Sequence, residues 1–136
     1  MLSACDAPGN QLEQILERGE LRVVSRYAIT SYYNNGSSLT GFEYELAERF
    51  ADYLGVELNL IGSRNLSKAL DLVDNGQADI AAAGLTITRS RQNDLRFGPI
   101  YFEVTQQLVY RHGNPPPRDI TEISSGQLEI MANSSH

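Results

Sequence analysis

The chain predicts an α/β fold with a mostly parallel sheet flanked by helices, and three observations carry that prediction. β-rich runs alternate with helical patterns in the order strand, helix, strand, helix, strand, and short helical crossovers of this kind join parallel strands with right-handed connections. Ala78-Asp79-Ile80-Ala81-Ala82-Ala83 is small and largely apolar, the pattern of a strand covered on both faces. The length, 136 residues, suffices for one ordinary core and not for two.

The leading element is a short helix over 10–18, in which Leu12, Ile15 and Leu16 share a face, Asn10 caps the start and Gly19 stands just past the end. Leu21-Arg22-Val23-Val24-Ser25 is the first strand, and it runs into a long polar and aromatic loop from Tyr27 to Leu39. Thr40-Gly41-Phe42-Glu43 has capping-box spacing. Phe42, Leu46, Ala47, Phe50, Ala51 and Leu54 then recur as helical neighbours up to Gly55, with Glu43, Glu45 and Glu48 expected on the solvated face. Val56 to Ile61 alternates and closes at Gly62 as the second strand. Asn65 caps a helix carrying Leu66, Ala69, Leu70 and Val73 that stops near Gly76. After the third strand come Gly84, a loop, a short helix from Thr88, and a long strand from Ile100 to Tyr110. Gly113 and Pro115-Pro116-Pro117 break the pattern and favour an extended connector. Thr121 to Gly126 reads as a helical turn, and Leu128 to Met131 as a strand ending in the polar Asn133-Ser134-Ser135. That ending looks like the start of another α/β unit, so the chain is expected to be a piece of a longer parent.

Composition narrows the function. Eleven Lys and Arg against seventeen Asp and Glu give a net charge of -6, with no basic cluster, which disfavours a general nucleic-acid role. The apolar runs fall far short of the ~20 residues that cross a bilayer. One cysteine cannot form an internal disulfide, and His112 and His136 lack ligand spacing, so neither a metal nor a cofactor is expected. Leu2-Ser3-Ala4-Cys5 matches the small-residue box before the lipidated cysteine of bacterial lipoproteins, followed by a polar tether from Asp6 to Asn10. Only Met1 precedes it, whereas an export signal needs a basic region and ~7–15 apolar residues. Cys5 is therefore either the remnant of a lipid-anchor signal or an incidental thiol.

In an open parallel sheet, ligands bind at the loops after the carboxyl ends of the strands. The Tyr27–Leu39 loop exceeds the usual ~2–6 residues of a strand-to-helix connection. The other candidate is Gly84-Leu85-Thr86-Ile87-Thr88-Arg89-Ser90-Arg91. There Gly84 admits a ligand to the backbone, Thr86 and Thr88 offer hydroxyls, and Arg91 can hold a carboxylate with a two-pronged hydrogen bond. Two readings stay open for that loop: a ligand site, or a helix cap at Thr88 with solvated Arg89 and Arg91. Tyr27, Tyr32 and Tyr33 are open in the same way between bracketing a ligand and packing at a sheet edge.

Five blocks in order narrow the choice: Gly41-Phe42-Glu43-Tyr44-Glu45-Leu46-Ala47, Leu54-Gly55-Val56, Asn75-Gly76-Gln77-Ala78-Asp79-Ile80, Gly84-Leu85-Thr86-Ile87-Thr88 with Arg91, and Phe97-Gly98-Pro99-Ile100-Tyr101. From about Leu21 onward the chain resembles the bacterial extracellular solute-binding proteins specific for polar amino acids. Within them it is most similar to the solute-binding-like modules of membrane-bound lytic murein transglycosylases. The resemblance implies a type II periplasmic-binding-protein-like fold: a leader remnant and tether over 1–9, a first lobe with its crossover strand over 10–111, and a connector with the truncated start of a second lobe over 112–136. It implies Arg91 for a ligand α-carboxylate, Thr86 as a contacting hydroxyl, Gly84 as a backbone site, and Ser134 and Ser135 as the second lobe's polar turn. Thr30 stands where transport proteins often place a stacking aromatic, a role that Tyr27 or Tyr32 would then fill.

The resulting expectation is a non-catalytic, periplasmic module that captures a small carboxylate-bearing ligand, an amino acid or a peptidoglycan-derived peptide, between two closing lobes. Its partner would be the catalytic domain downstream in a transglycosylase. The alternatives are a transporter's binding protein, which hands its solute to an ABC permease, and a structural module that has lost its ligand. Membrane association would come only through a lipid on Cys5, at the outer membrane.

Overall fold

The computed structural model describes residues 10–124, 126 and 128–130. They fall into two units, one ending at Leu95 and one beginning at Arg96.

The first unit opens with α1 (Gln11–Arg18), closed by the expected signals. Asn10 Oδ1 accepts the Glu13 N–H at 3.1 Å, the Glu13 carboxylate accepts the Asn10 N–H at 3.1 Å, and Gly19 ends the helix at φ 69°. β1 (Glu20–Arg26) follows, and the long loop after it folds a small antiparallel hairpin from β2 (Tyr33–Asn34) and β3 (Leu39–Thr40). α2 (Phe42–Leu54), β4 (Glu57–Ser63), α3 (Leu66–Asp74), β5 (Ile80–Ala81) and α4 (Arg89–Asp94) complete the unit.

All strands of the sheet are parallel, as the crossover pattern predicts, and the structure sets their order as β4-β1-β5. β1 is the central strand, and its alternation sorts the core. Leu21 and Val23 pack with Ile15 of α1 and Ala47 and Ala51 of α2. Val24 points to the other face and packs with Ala69 of α3 and Ala78. Burying a side chain of this size contributes about 1.5–3 kcal/mol, so both helical layers are held chiefly through one strand.

The third strand is shorter than its composition suggests. Only Ile80 and Ala81 pair as strand residues with β1, opposite Val23 and Val24. Just beyond them the Ser25 hydroxyl donates to the Ala82 carbonyl, so a side chain takes the acceptor a continuing ladder would use. Just before them Asp79 is buried, and its carboxylate ties the amino end of the sheet together. It accepts from the Arg18 guanidinium at 2.5 Å, from Arg22 Nη2 at 2.8 Å and from the Arg22 backbone N–H at 2.9 Å.

In the second unit the expected helical turn is present as α5 (Ile120–Ser124), where Asp119 Oδ1 accepts the N–H groups of Thr121 at 2.8 Å and Glu122 at 3.0 Å. The expected strand from Ile100 to Tyr110, including the crossover near Thr105 to Arg111, is not formed. No strand among the described residues pairs with it, and Val109 is 89% exposed. β-branched and aromatic residues favour a strand only when a neighbour supplies the ladder and covers a face. Leu128 to Ile130 likewise form no strand, and Met131 lies outside the described residues. None of the described helices is long and apolar enough to cross a membrane.

Candidate functional site

The loop after β1 turns tightly at its start. The Ser31 N–H donates to the Ala28 carbonyl at 3.0 Å and the Ala28 N–H to the Tyr32 carbonyl at 3.1 Å. Ser31 is buried, and its carbonyl accepts the N–H of Tyr44 in the first turn of α2 at 3.1 Å. This replaces the expected capping box. The N-cap is Gly41, which makes no side-chain cap bond, while Thr40 Oγ1 donates instead to Glu45 Oε1 at 3.0 Å. Crowding explains the choice. Gly41 has φ 134°, and a Cβ there would stand 2.4 Å from the Ser31 carbonyl oxygen and 2.8 Å from Tyr32 Cα.

Glu43 is a second correction. Glu45 and Glu48 are exposed as expected, but Glu43 is only 4% exposed, and its Oε1 accepts the backbone N–H of Gly84 at 2.9 Å. The sequence held a signal for this. Glu43 lies four and eight residues before Ala47 and Ala51, so it shares the buried face of α2. Gly84 adopts φ 61°, in the left-handed region, and is itself exposed.

Beyond Gly84 the chain reaches α4. Thr88 caps it, its Oγ1 accepting the Arg91 N–H at 3.3 Å, and Arg91 Nη1 donates to the Thr86 carbonyl at 3.0 Å. The fold thus joins two expected site residues, Thr86 and Arg91, by one bond. That bond orients a planar guanidinium, the group best shaped for a two-pronged grip on a carboxylate. Arg91 is half-buried and Thr86 exposed.

Tyr27 and Tyr32 form an edge-to-face pair with centroids 5.7 Å apart and planes at 89°. Tyr27 is exposed. Tyr32 is half-buried, with its hydroxyl over the end of β4, where a Cβ on Gly62 would come within 2.1 Å of it. Thr30 is exposed in the same turn. The tyrosine pair and the Gly84–Arg91 loop are separate clusters that share one anchor, the first turn of α2. Cys5, Ser134 and Ser135 lie outside the described residues.

A groove of about 610 Å³ lies elsewhere, along the outer edge of β4 and α2, lined by Leu39, Tyr44, Glu48, Asp52 and Leu60 among others. It contains none of the expected site residues. Burial pushes the Tyr44 phenol above its ordinary pKa, and its 3.0 Å hydrogen bond to Glu48 adds to this. Among the described residues no cluster of His, Cys, Asp and Glu could hold a metal ion.

The glycine turn at Gly84 and the arginine held by the Thr86 carbonyl follow β5 at the carboxyl edge of the parallel sheet, the edge at which open α/β sheets generally take ligands. The architecture is that of a partial lobe of a type II periplasmic binding protein. The chain belongs to the bacterial extracellular solute-binding proteins, family 3, whose sequence model matches residues 21–134. It is 50% identical over 125 residues to a membrane-bound lytic murein transglycosylase F 1 of Alkalilimnicola ehrlichii, covering 92% of this chain and 25% of that protein. To the membrane-bound lytic murein transglycosylase F of Aeromonas salmonicida it is 41% identical over 136 residues, covering 98% and 27%. The chain therefore spans about a quarter of the length of these relatives, and the matched region is the solute-binding module and not a catalytic domain. Among solved structures, the arginine-bound form of domain 1 of ArgBP from T. maritima superposes with a TM-score of 0.59 at 26% identity, over 65% of this chain and 71% of that one.

Proposed function

We propose that this chain is the non-catalytic, regulatory ligand-binding module of a periplasmic lytic murein transglycosylase, and that it captures a small carboxylate-bearing ligand such as an amino acid or a muropeptide. The observation that carries the reading is Arg91, oriented by the Thr86 carbonyl at the carboxyl edge of the parallel sheet. Arg91 pairs with the ligand carboxylate, Thr86 and Gly84 offer a hydroxyl and backbone groups, and Tyr27 and Tyr32 flank the apolar part of the ligand. Ser134 and Ser135 close from a second lobe. Closure is then passed to a catalytic domain elsewhere in the parent, and a lipid on Cys5 holds that parent at the outer membrane.

The test is calorimetric titration of the parent protein with L-arginine and with purified muropeptides, comparing wild type with Arg91→Ala. A charge-assisted hydrogen bond is worth about 1.5–3 kcal/mol, so the variant is expected to bind roughly 10- to 100-fold more weakly. Unchanged affinity refutes the assignment of Arg91. A second reading, a binding protein that delivers an amino acid to an ABC permease, is favoured by the likeness to an arginine-bound structure. Binding of free amino acids with no effect on glycan-strand cleavage by the parent would select it. If neither ligand class binds, the module is structural.

A further inference from the structure

The first turn of α2 touches both loops of the candidate site, and it does so with different chemistry on each side. Its backbone N–H at Tyr44 donates to Ser31, which fixes the loop that carries Tyr27 and Tyr32. Its side chain at Glu43 accepts from Gly84, which fixes the loop that carries Thr86 and Arg91. Glu43 is buried, and burying a carboxylate is costly unless hydrogen bonds such as that from Gly84 offset the loss of water. Gly84 also sits in the left-handed region, a conformation open to glycine without steric penalty, and in it the N–H meets Glu43 Oε1.

We infer that Glu43 is a positioning residue for ligand capture: without touching the ligand, it latches the Gly84–Arg91 loop to the same helical turn that holds the tyrosine loop. The latch rests on the reading of the carboxyl edge as the ligand site. It makes the two loops move as one body, so that losing the Glu43 bond releases Gly84 while the Ser31–Tyr44 bond stays in place. Glu43→Gln keeps an oxygen acceptor of the same reach, whereas Glu43→Asp keeps the charge and is one methylene too short.

The experiment is backbone amide hydrogen exchange by NMR on wild type and the Glu43→Ala, Glu43→Asp and Glu43→Gln variants, read at Gly84, at Tyr44 and at the central amides of β1. The latch predicts that Glu43→Ala and Glu43→Asp speed exchange at Gly84 about tenfold relative to β1, that Glu43→Gln changes it by less than about twofold, and that Tyr44 stays protected in all three. Unchanged exchange at Gly84 in the aspartate variant overturns the inference. If the alanine variant loses protection throughout the chain, the contrast between aspartate and glutamine decides, and equal behaviour of those two overturns it. L-arginine serves as the ligand probe. Where wild type binds it, Glu43→Asp should weaken binding about tenfold and Glu43→Gln by less than about threefold, and unchanged affinity beside a deprotected Gly84 also overturns the positioning role. Failure of wild type to bind L-arginine counts against the ligand reading, while the exchange data still decide the latch.

Discussion

Replacing Asp79 with asparagine should cost more stability than any surface change of equal size. The Asp79 carboxylate is buried, and it accepts from Arg18, from the Arg22 guanidinium and from the Arg22 backbone N–H, joining the end of α1 to β1 and the start of β5. Removing one partner of a fully buried ion pair costs about 3–5 kcal/mol, because the other charge is left stranded. Here the arginine side chains keep 31% and 25% of their exposure, so water recovers part of that loss and about 2–3 kcal/mol is expected. At roughly 4 °C per kcal/mol for a chain of this size, the midpoint of thermal unfolding should fall by about 8–12 °C.

The pH dependence gives a second reading of the same cluster. Burial pushes the Asp79 carboxyl up, but the hydrogen bonds and charge of Arg22, with the charge of Arg18, outweigh it and leave the group below its ordinary value. A depressed carboxyl stabilises the fold above its unfolded pKa, about 4, and the contribution is lost as pH falls through the lower, folded value. The gap between wild type and Asp79→Asn should therefore be constant from about pH 7 to 5 and shrink below pH 4. Urea unfolding followed by circular dichroism across that range is the assay. A gap under about 0.5 kcal/mol at pH 7, or one that widens in acid, would refute the reasoning.

Three further perturbations test other parts of the fold. Gly41→Ala pushes a methyl group against the Ser31 carbonyl at a φ that side chains avoid, so a loss of at least about 2 kcal/mol in urea unfolding is expected. Leu21→Ala empties a fully buried site in the central strand and should cost about 2–5 kcal/mol by the same measurement. Gly62→Ala meets only the end of the Tyr32 side chain, which can swing aside, so stability should change by less than about 1 kcal/mol, while the Tyr32 ring resonances shift in the NMR spectrum.

Helix boundaries were legible because their signals are local. Asn10 with Glu13, Gly19, Asn65 and Thr88 each act within one turn of their own position, and each does in the structure what its spacing predicts. The parallel sense of the sheet was legible because strands alternating with helices are joined by crossovers, whereas the order β4-β1-β5 came from the structure. Thr86 and Arg91 were legible as neighbours on one loop, although their bond runs through a backbone carbonyl that no residue pattern marks.

By itself, then, the sequence determined an α/β lobe, the alternation of its main strands and helices, and the caps at Asn10, Asn65 and Thr88, since these follow from periodicity and from residues a few positions apart. Only the tertiary structure decided that Glu43 bonds Gly84, that Gly41 must lack a side chain, that Asp79 gathers two arginines, and that the β-prone segment from Ile100 to Tyr110 forms no strand among the described residues. Each of these depends on what comes alongside from elsewhere in the chain. A carboxylate is buried only where a donor faces it, and a β-prone segment becomes a strand only where another strand offers its hydrogen bonds.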